Sequence, residues 1–357
     1  MKYINSITEA IGNTPLLKLN KIGKDIDASI FVKLEYLNPS GSYKDRMAKA
    51  MLDAAERGET WNGKKITKGG TIVEASAGNT APAVALQCAV RGYKSKLYLY
   101  RYSMKNGQDA RMKIVDAYGP DVNMSSEPST YLNSDDLERY SSVDPDMPHV
   151  MAAKMDCALD EANNENTVWL DQIYNDANVE GQKTLGREIY EQLDGKVDAI
   201  GCSVGSGATL YGMCLAMAEK GHRPEVIFGA VPVGSENYVV LNGQECGREG
   251  FSVSVLDKDI AKSIGLEKWV TEKAIVEKMI DDGYPDLFFQ VTEEEAREMA
   301  NRLCREEGIY CGMSSGANVA VALKIAQRLG EGKNVVTTLV DRRDRYLEEY
   351  PNDIYVV

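Results

Sequence analysis

The chain has 357 residues, 43% hydrophobic and 27% charged, a balance that suits a folded globular protein and argues against wholesale disorder. Its net charge of −13 opposes phosphate backbones and anionic lipid, so neither nucleic acid nor a membrane is an expected partner. No apolar run reaches the roughly 20 residues that span a bilayer, and the N-terminus lacks a secretion signal, so a cytoplasmic location is expected.

In chain order, a β-branched run predicts a strand at 29–33, followed by helical spacing at 46–57. Strand 71–75 precedes helix 80–91, and strand 96–100 precedes helix 107–117. The stretch 120–166 is rich in Ser, Asp, Asn and Pro and is predicted as a long surface excursion at a domain boundary. Helix 179–193, strand 198–204, helix 209–220 and strand 226–232 resume the alternation. An irregular region at 234–286 is predicted to cover a site, and helices 292–307 and 315–329 and strand 334–340 close the chain. Such alternation indicates an α/β fold with largely parallel sheets.

Seven cysteines without a C-x-x-C pair argue against a disulfide framework, and with only two histidines no metal site is expected. Chemistry-bearing residues gather at four strand-to-helix junctions. Lys44, in Asn38-Pro-Ser-Gly-Ser-Tyr-Lys44, lies where side chains converge on a cleft, although a lone lysine is ordinarily a solvated group. Ser76-Ala-Gly-Asn-Thr80 opens a helix whose unpaired N–H groups suit a carboxylate or phosphate; by itself it reads first as a turn capped by Asn79 or Thr80. Gly205-Ser-Gly-Ala-Thr209 can curl several N–H groups around one phosphate, and it matches neither a Walker loop nor G-x-G-x-x-G. In Cys311-Gly-Met-Ser-Ser-Gly-Ala317 either Ser314 or Ser315 starts a helix. A nucleophilic lysine, two anion cradles and a late hydroxyl are the parts that pyridoxal 5'-phosphate needs.

With these motifs the chain resembles the cysteine synthase and cystathionine β-synthase family of fold-type-II pyridoxal-phosphate enzymes along nearly its whole length. Ile11-Gly-Asn-Thr-Pro-Leu16 resembles the family's opening. The resemblance implies a two-domain, tryptophan-synthase-β-like α/β fold with the active site in the interdomain cleft. Residues 1–12 and 38–170 would form the smaller domain, and 13–37 and 171–357 the larger. Lys44 would form the imine with the cofactor and then shuttle a proton. Gly205, Ser206, Gly207, Ala208 and Thr209 would hold its phosphate, Asn79 its ring hydroxyl and Ser314 its pyridine nitrogen. Ser76, Ala77, Gly78, Thr80 and Gln172 would contact the substrate. The implied reaction is β-replacement on O-acetylserine or O-phosphoserine by sulfide or a thiol, through an aminoacrylate, in a homodimer.

The departures cluster near the substrate. Ala77 replaces a hydroxyl residue, Ala81 and Ala208 replace glycines, and Ser263-Ile-Gly-Leu266 is the nearest match to the family's gating segment. The late Pro-x-x-Gly-x-Arg-Tyr is here Val340-Asp-Arg-Arg-Asp-Arg-Tyr346, and Arg342 or Arg343 is a candidate partner for an anionic substrate group. Three alternatives remain: a cysteine β-lyase releasing sulfide, a catalytically silent family member acting as a binding partner, and a nicotinamide oxidoreductase using the 205–212 loop.

Overall fold

A computed structural model describes residues 3–76, 78–99, 110–143, 147–232 and 273–346. Its strands form two sheets. The six-stranded sheet contains β1 (Leu16–Lys18), β2 (Ser29–Leu34), β7 (Ala199–Ser203), β8 (Val226–Pro232), β9 (Leu287–Val291) and β10 (Asn334–Leu339), in the order β1-β2-β10-β7-β8-β9. Every pairing is parallel except β1 with β2. The four-stranded sheet, fully parallel, runs β5 (Asp121–Met124), β4 (Lys94–Leu99), β3 (Thr71–Ala75), β6 (Thr167–Trp169). Central strands read as nearly continuous apolar runs because both faces are covered; four of the five β7 residues are buried.

The helices are α1 (Lys44–Arg57), α2 (Thr80–Arg91), α3 (Ala110–Ala117), α4 (Ser134–Val143), α5 (Met147–Asn163), α6 (Asp176–Gln192), α7 (Ala208–Ala218), α8 (Ile275–Asp281), α9 (Glu293–Glu307) and α10 (Met313–Leu329). By contact the chain divides into two units. Among the described residues, the first comprises 3–46, 179–232 and 276–344 with the six-stranded sheet, and the second comprises 47–178, 273–275 and 345–346 with the four-stranded sheet. Residues 3–12 and 38–46, assigned from the sequence to the smaller domain, fall here with the first unit. Asn38 accepts from Gly12 N at 2.8 Å and donates to Glu35, Ser42 bridges Asp341, and Arg46 pairs with Glu35 and Glu188.

The core of the first unit packs α9 and α10 on the sheet through Leu303, Val319, Val321, Ile325, Val335 and Phe228. The two helices approach at Gly316, where a Cβ would overlap the carbonyl oxygen of Ala296. The core of the second unit unites α1 and α2 with the other sheet through Met47, Met51, Ile72, Val84, Leu97 and Val168.

The stretch 120–166 is not the surface excursion predicted. It holds β5, α4 and α5, and α5 buries Met147, Met151, Ala152, Met155 and Ala158. Of the irregular 234–286 region, only 273–286 lies within the described residues, and it contributes α8.

Candidate active site

In the first unit, the lysine segment is built before its lysine is placed. Asp45 accepts from Ser40 N at 2.6 Å, Tyr43 N donates to Val340 O at 3.0 Å, and Lys44 begins α1 with its N–H on Ser42 Oγ at 3.3 Å. Two residues further, Arg46 makes a two-pronged pair with Glu35, at 2.7 and 2.8 Å, and a second with Glu188, also at 2.7 and 2.8 Å. Lys33 joins at 2.7 Å from Glu188, and Thr14 donates to Glu35 at 2.6 Å. Two cations and two carboxylates, all paired, thus pin the start of α1 inside the protein. The Lys44 ammonium stands over the Tyr43 ring, 4.9 Å from its centre, and its charge reaches the Cys202 thiol on β7. Burial pushes that thiol up to about 12, with Lys44 opposing.

The loop after β7 turns through Gly207, at φ +82°, into α7. A side chain there would be strained by the left-handed backbone and would press on Val276 Cα, 3.0 Å from the added Cβ. Gly205 faces open space. Ala208, where the family has glycine, lies inside α7 without positive φ, so its buried methyl is accommodated. The opening N–H groups of the 11-residue α7 have no intrahelical acceptors, and Ser206 and Thr209 belong to this turn. A loop of N–H groups whose two glycines carry no Cβ, one of them facing open space, fits a phosphate.

The loop is held from behind by Asn318 on α10, fully buried, which accepts from Ser203 N at 2.6 Å and donates to Thr338 O at 2.8 Å. Of the two serines that open α10, Ser315 is buried and accepts from Val340 N at 2.9 Å, a structural role. Ser314 is exposed and lines a cavity of about 330 Å³ with Ser203, Val231, Val291 and Met313. A hydroxyl on a mostly apolar wall fits the edge of an aromatic ring.

In the second unit, Ser76 follows β3, is buried, and accepts from Gly78 N at 3.1 Å; Ala77 lies outside the described residues. Thr80 starts α2 and donates to Gln172 Oε1 at 2.9 Å, uniting two predicted substrate segments 92 residues apart. Next to Gln172, Asp171 is held at φ +45°; burial raises its carboxyl, and Lys154, 3.9 Å away, opposes the rise. Asn79 accepts from Arg345 at 2.7 Å.

Arg342 and Arg343 are engaged locally, Arg342 with Asp344 at 2.9 Å and Arg343 with Asn301, so no geometry favours their pairing with substrate. The arginine that meets a predicted site residue is Arg345, one turn on. It was readable as the Arg-Tyr of the late motif. Asn318, also missed, shows in the sequence only as a polar residue four positions beyond Ser314. The gating match at 263–266 lies outside the described residues. Among those residues, no cluster of His, Cys, Asp or Glu could hold a metal, and no helix is long and apolar enough to cross a membrane.

Comparison with known proteins places the chain in a family. The chain is 34% identical over 351 residues to cysteine synthase 1 of Emericella nidulans, covering 97% of this chain and 84% of that one. It is 32% identical over 355 residues to cysteine synthase of Staphylococcus aureus, covering 97% and 96%. Among solved structures, a cysteine synthase from Entamoeba histolytica superposes with a TM-score of 0.73 at 25% identity, covering 100% of this chain and 92% of that one. A hydrogen sulfide-producing enzyme from Fusobacterium nucleatum gives 0.72 at 26% identity, covering 97% and 99%. The family model described as pyridoxal-phosphate dependent enzyme matches residues 7–341, which leaves no place for the nicotinamide reading. The chain therefore belongs to the pyridoxal-phosphate dependent enzymes of fold type II.

Proposed function

We propose that the chain catalyses β-replacement on an activated L-serine, O-acetylserine or O-phosphoserine, with sulfide or a thiol as nucleophile. Pyridoxal phosphate, when bound, supplies the electron sink for electrons released at the substrate's Cα. Residues 205–209 hold its phosphate, Asn79 its ring oxygen and Ser314 its ring nitrogen. Lys44 holds it covalently and carries the Cα proton at Nζ. Ser76, Ala77, Gly78, Thr80 and Gln172 receive the amino acid's carboxylate. The observation that carries this reading is the Thr80–Gln172 hydrogen bond, which supports a single carboxylate-binding surface made from two distant segments. Ser314 adds a chemical argument. A neutral hydroxyl does not keep a pyridine nitrogen firmly protonated as a carboxylate does, which tempers the electron sink and favours loss of a β-leaving group. Cytoplasmic location and a homodimer belong to the same reading, and light scattering on the purified chain tests the second.

The likeness to a hydrogen sulfide-producing enzyme supports a second reading, β-elimination from cysteine with the same residues. The deciding experiment is a visible absorption spectrum of the purified protein loaded with pyridoxal phosphate, before and during titration with O-acetyl-L-serine. A visible band that is absent in Lys44→Ala, with turnover reduced ~10²–10⁴-fold, supports the assignment of Lys44. A red-shifted spectrum with O-acetylserine that sulfide reverses supports replacement. A response to cysteine alone, with sulfide released, supports elimination. If no band forms with added cofactor, both readings fail.

A further inference from the structure

Arg345 is 2% exposed, and its Nη1 donates to Asn79 Oδ1 at 2.7 Å across 266 residues of sequence. A guanidinium has donors and no acceptor. The amide end facing Arg345 must therefore be the oxygen, because the opposite rotamer would press an NH2 group against an N–H donor. Asn79 itself opens α2, with no side-chain capping bond to its own helix. Its NH2 is thus the end it offers to its other partners.

We infer that Arg345 is a positioning residue that locks the Asn79 amide with its NH2 as a donor, selecting a ligand atom that is an oxygen carrying negative charge. This rests on the reading above, in which that atom is the ring oxygen of pyridoxal phosphate. A donor held there stabilises the ionised oxygen. Without Arg345 the amide can turn over and set its oxygen against the ligand's oxygen. Arg345 touches neither cofactor nor substrate in this account; it acts through Asn79.

The test uses the cofactor-loaded enzyme and two readouts other than turnover. One is the ratio of visible to near-ultraviolet cofactor absorbance at fixed pH, which reports the charge on the ring oxygen. The other is the dissociation constant for pyridoxal phosphate. The variants are Asn79→Ala, Arg345→Met, Arg345→Lys and the double variant Asn79→Ala/Arg345→Met, each checked for folding by circular dichroism. The expected result is that Arg345→Met lowers the ratio as Asn79→Ala does and weakens cofactor binding about tenfold, the scale of one charge-assisted hydrogen bond. The double variant should be no worse than either single one. Arg345→Lys, a point donor without the fork, should fall between wild type and Asn79→Ala. A lowered ratio in Asn79→Ala beside a wild-type ratio in whichever Arg345 variants fold overturns the inference and leaves the reading of Asn79 standing. An unchanged ratio in Asn79→Ala overturns both. Additive losses in the double variant assign Arg345 a role independent of Asn79 and also overturn the inference.

Discussion

Glu188 shows how one residue couples the support of the Lys44 segment to pH. Burial alone would push its carboxyl up, but Arg46 and Lys33 override that and hold it at about 2, against an ordinary value of 4.5. A depressed carboxyl contributes stability that is fully present above its unfolded value and is lost as pH falls through its folded one. That contribution, at most about 3 kcal/mol, should therefore disappear between about pH 4.5 and 2. Urea unfolding of Glu188→Gln across that range should show a flatter dependence of stability on pH than wild type; an equal slope would mean the pair is not set up as described. Gly207 makes a different demand. Gly207→Ala combines a left-handed backbone with contact on Val276, so it should cost about 1–2 kcal/mol and weaken cofactor retention, measured by dialysis. Gly205→Ala, whose methyl meets open space, separates loop strain from loss of cradle volume. The identity of both glycines was legible in the sequence, since a glycine pair after a strand suggests a phosphate turn. Glu188 was not legible, because nothing local distinguishes it from the other surface carboxylates of an acidic chain.

Whether an element could be read from sequence depended on how plainly it separates its apolar and polar faces. Helix α9 was readable from its start: Thr292 accepts from Glu295 N at 3.0 Å while Glu295 reaches back to Thr292 N at 2.9 Å, a reciprocal cap. Thr292→Ala should lower the stability of the protein by about 1 kcal/mol, seen as a lower denaturant midpoint with unchanged slope. Helix α5 was missed for a physical reason. It buries charges as well as methionines: Asp156 accepts from Ser126 and Tyr131, and Glu161 accepts from Trp169 N and Asn62. Those partners come from other segments, so a pattern search meets polar residues where a core face should be. Strands β1, β5 and β6 have only three or four residues each, too few for alternation to register. Pairing with longer neighbours, antiparallel for β1 and parallel for β5 and β6, supplies what their own sequence lacks.

For the whole molecule, the two-sheet α/β plan was legible because strands and helices alternate over most of the chain, and the lysine, glycine and serine motifs fall at the strand ends where such folds bind ligands. Their supports were not, because Asn318 and Arg345 act on residues more than a hundred positions away. The cysteines report on the assembled fold. Cys88, Cys157, Cys202, Cys214 and Cys311 are buried, and burial raises every one of these thiols. Cys304 alone among the described cysteines is partly exposed. A thiol reagent on the native protein should label Cys304 far faster than those five, by peptide mapping; rapid labelling of Cys202 would mean the ground under Lys44 is open to solvent. The contact at Gly316 carries a last consequence, for the history and redesign of this enzyme. In the proposed reading, position 314 can exchange its hydroxyl for another group and so alter the electronic demand placed on a cofactor. Its location is not similarly free, because two residues on the backbone of α9 leaves no space for a side chain. Selection can retune this corner by changing the group at 314, whereas moving it would require two helices to part.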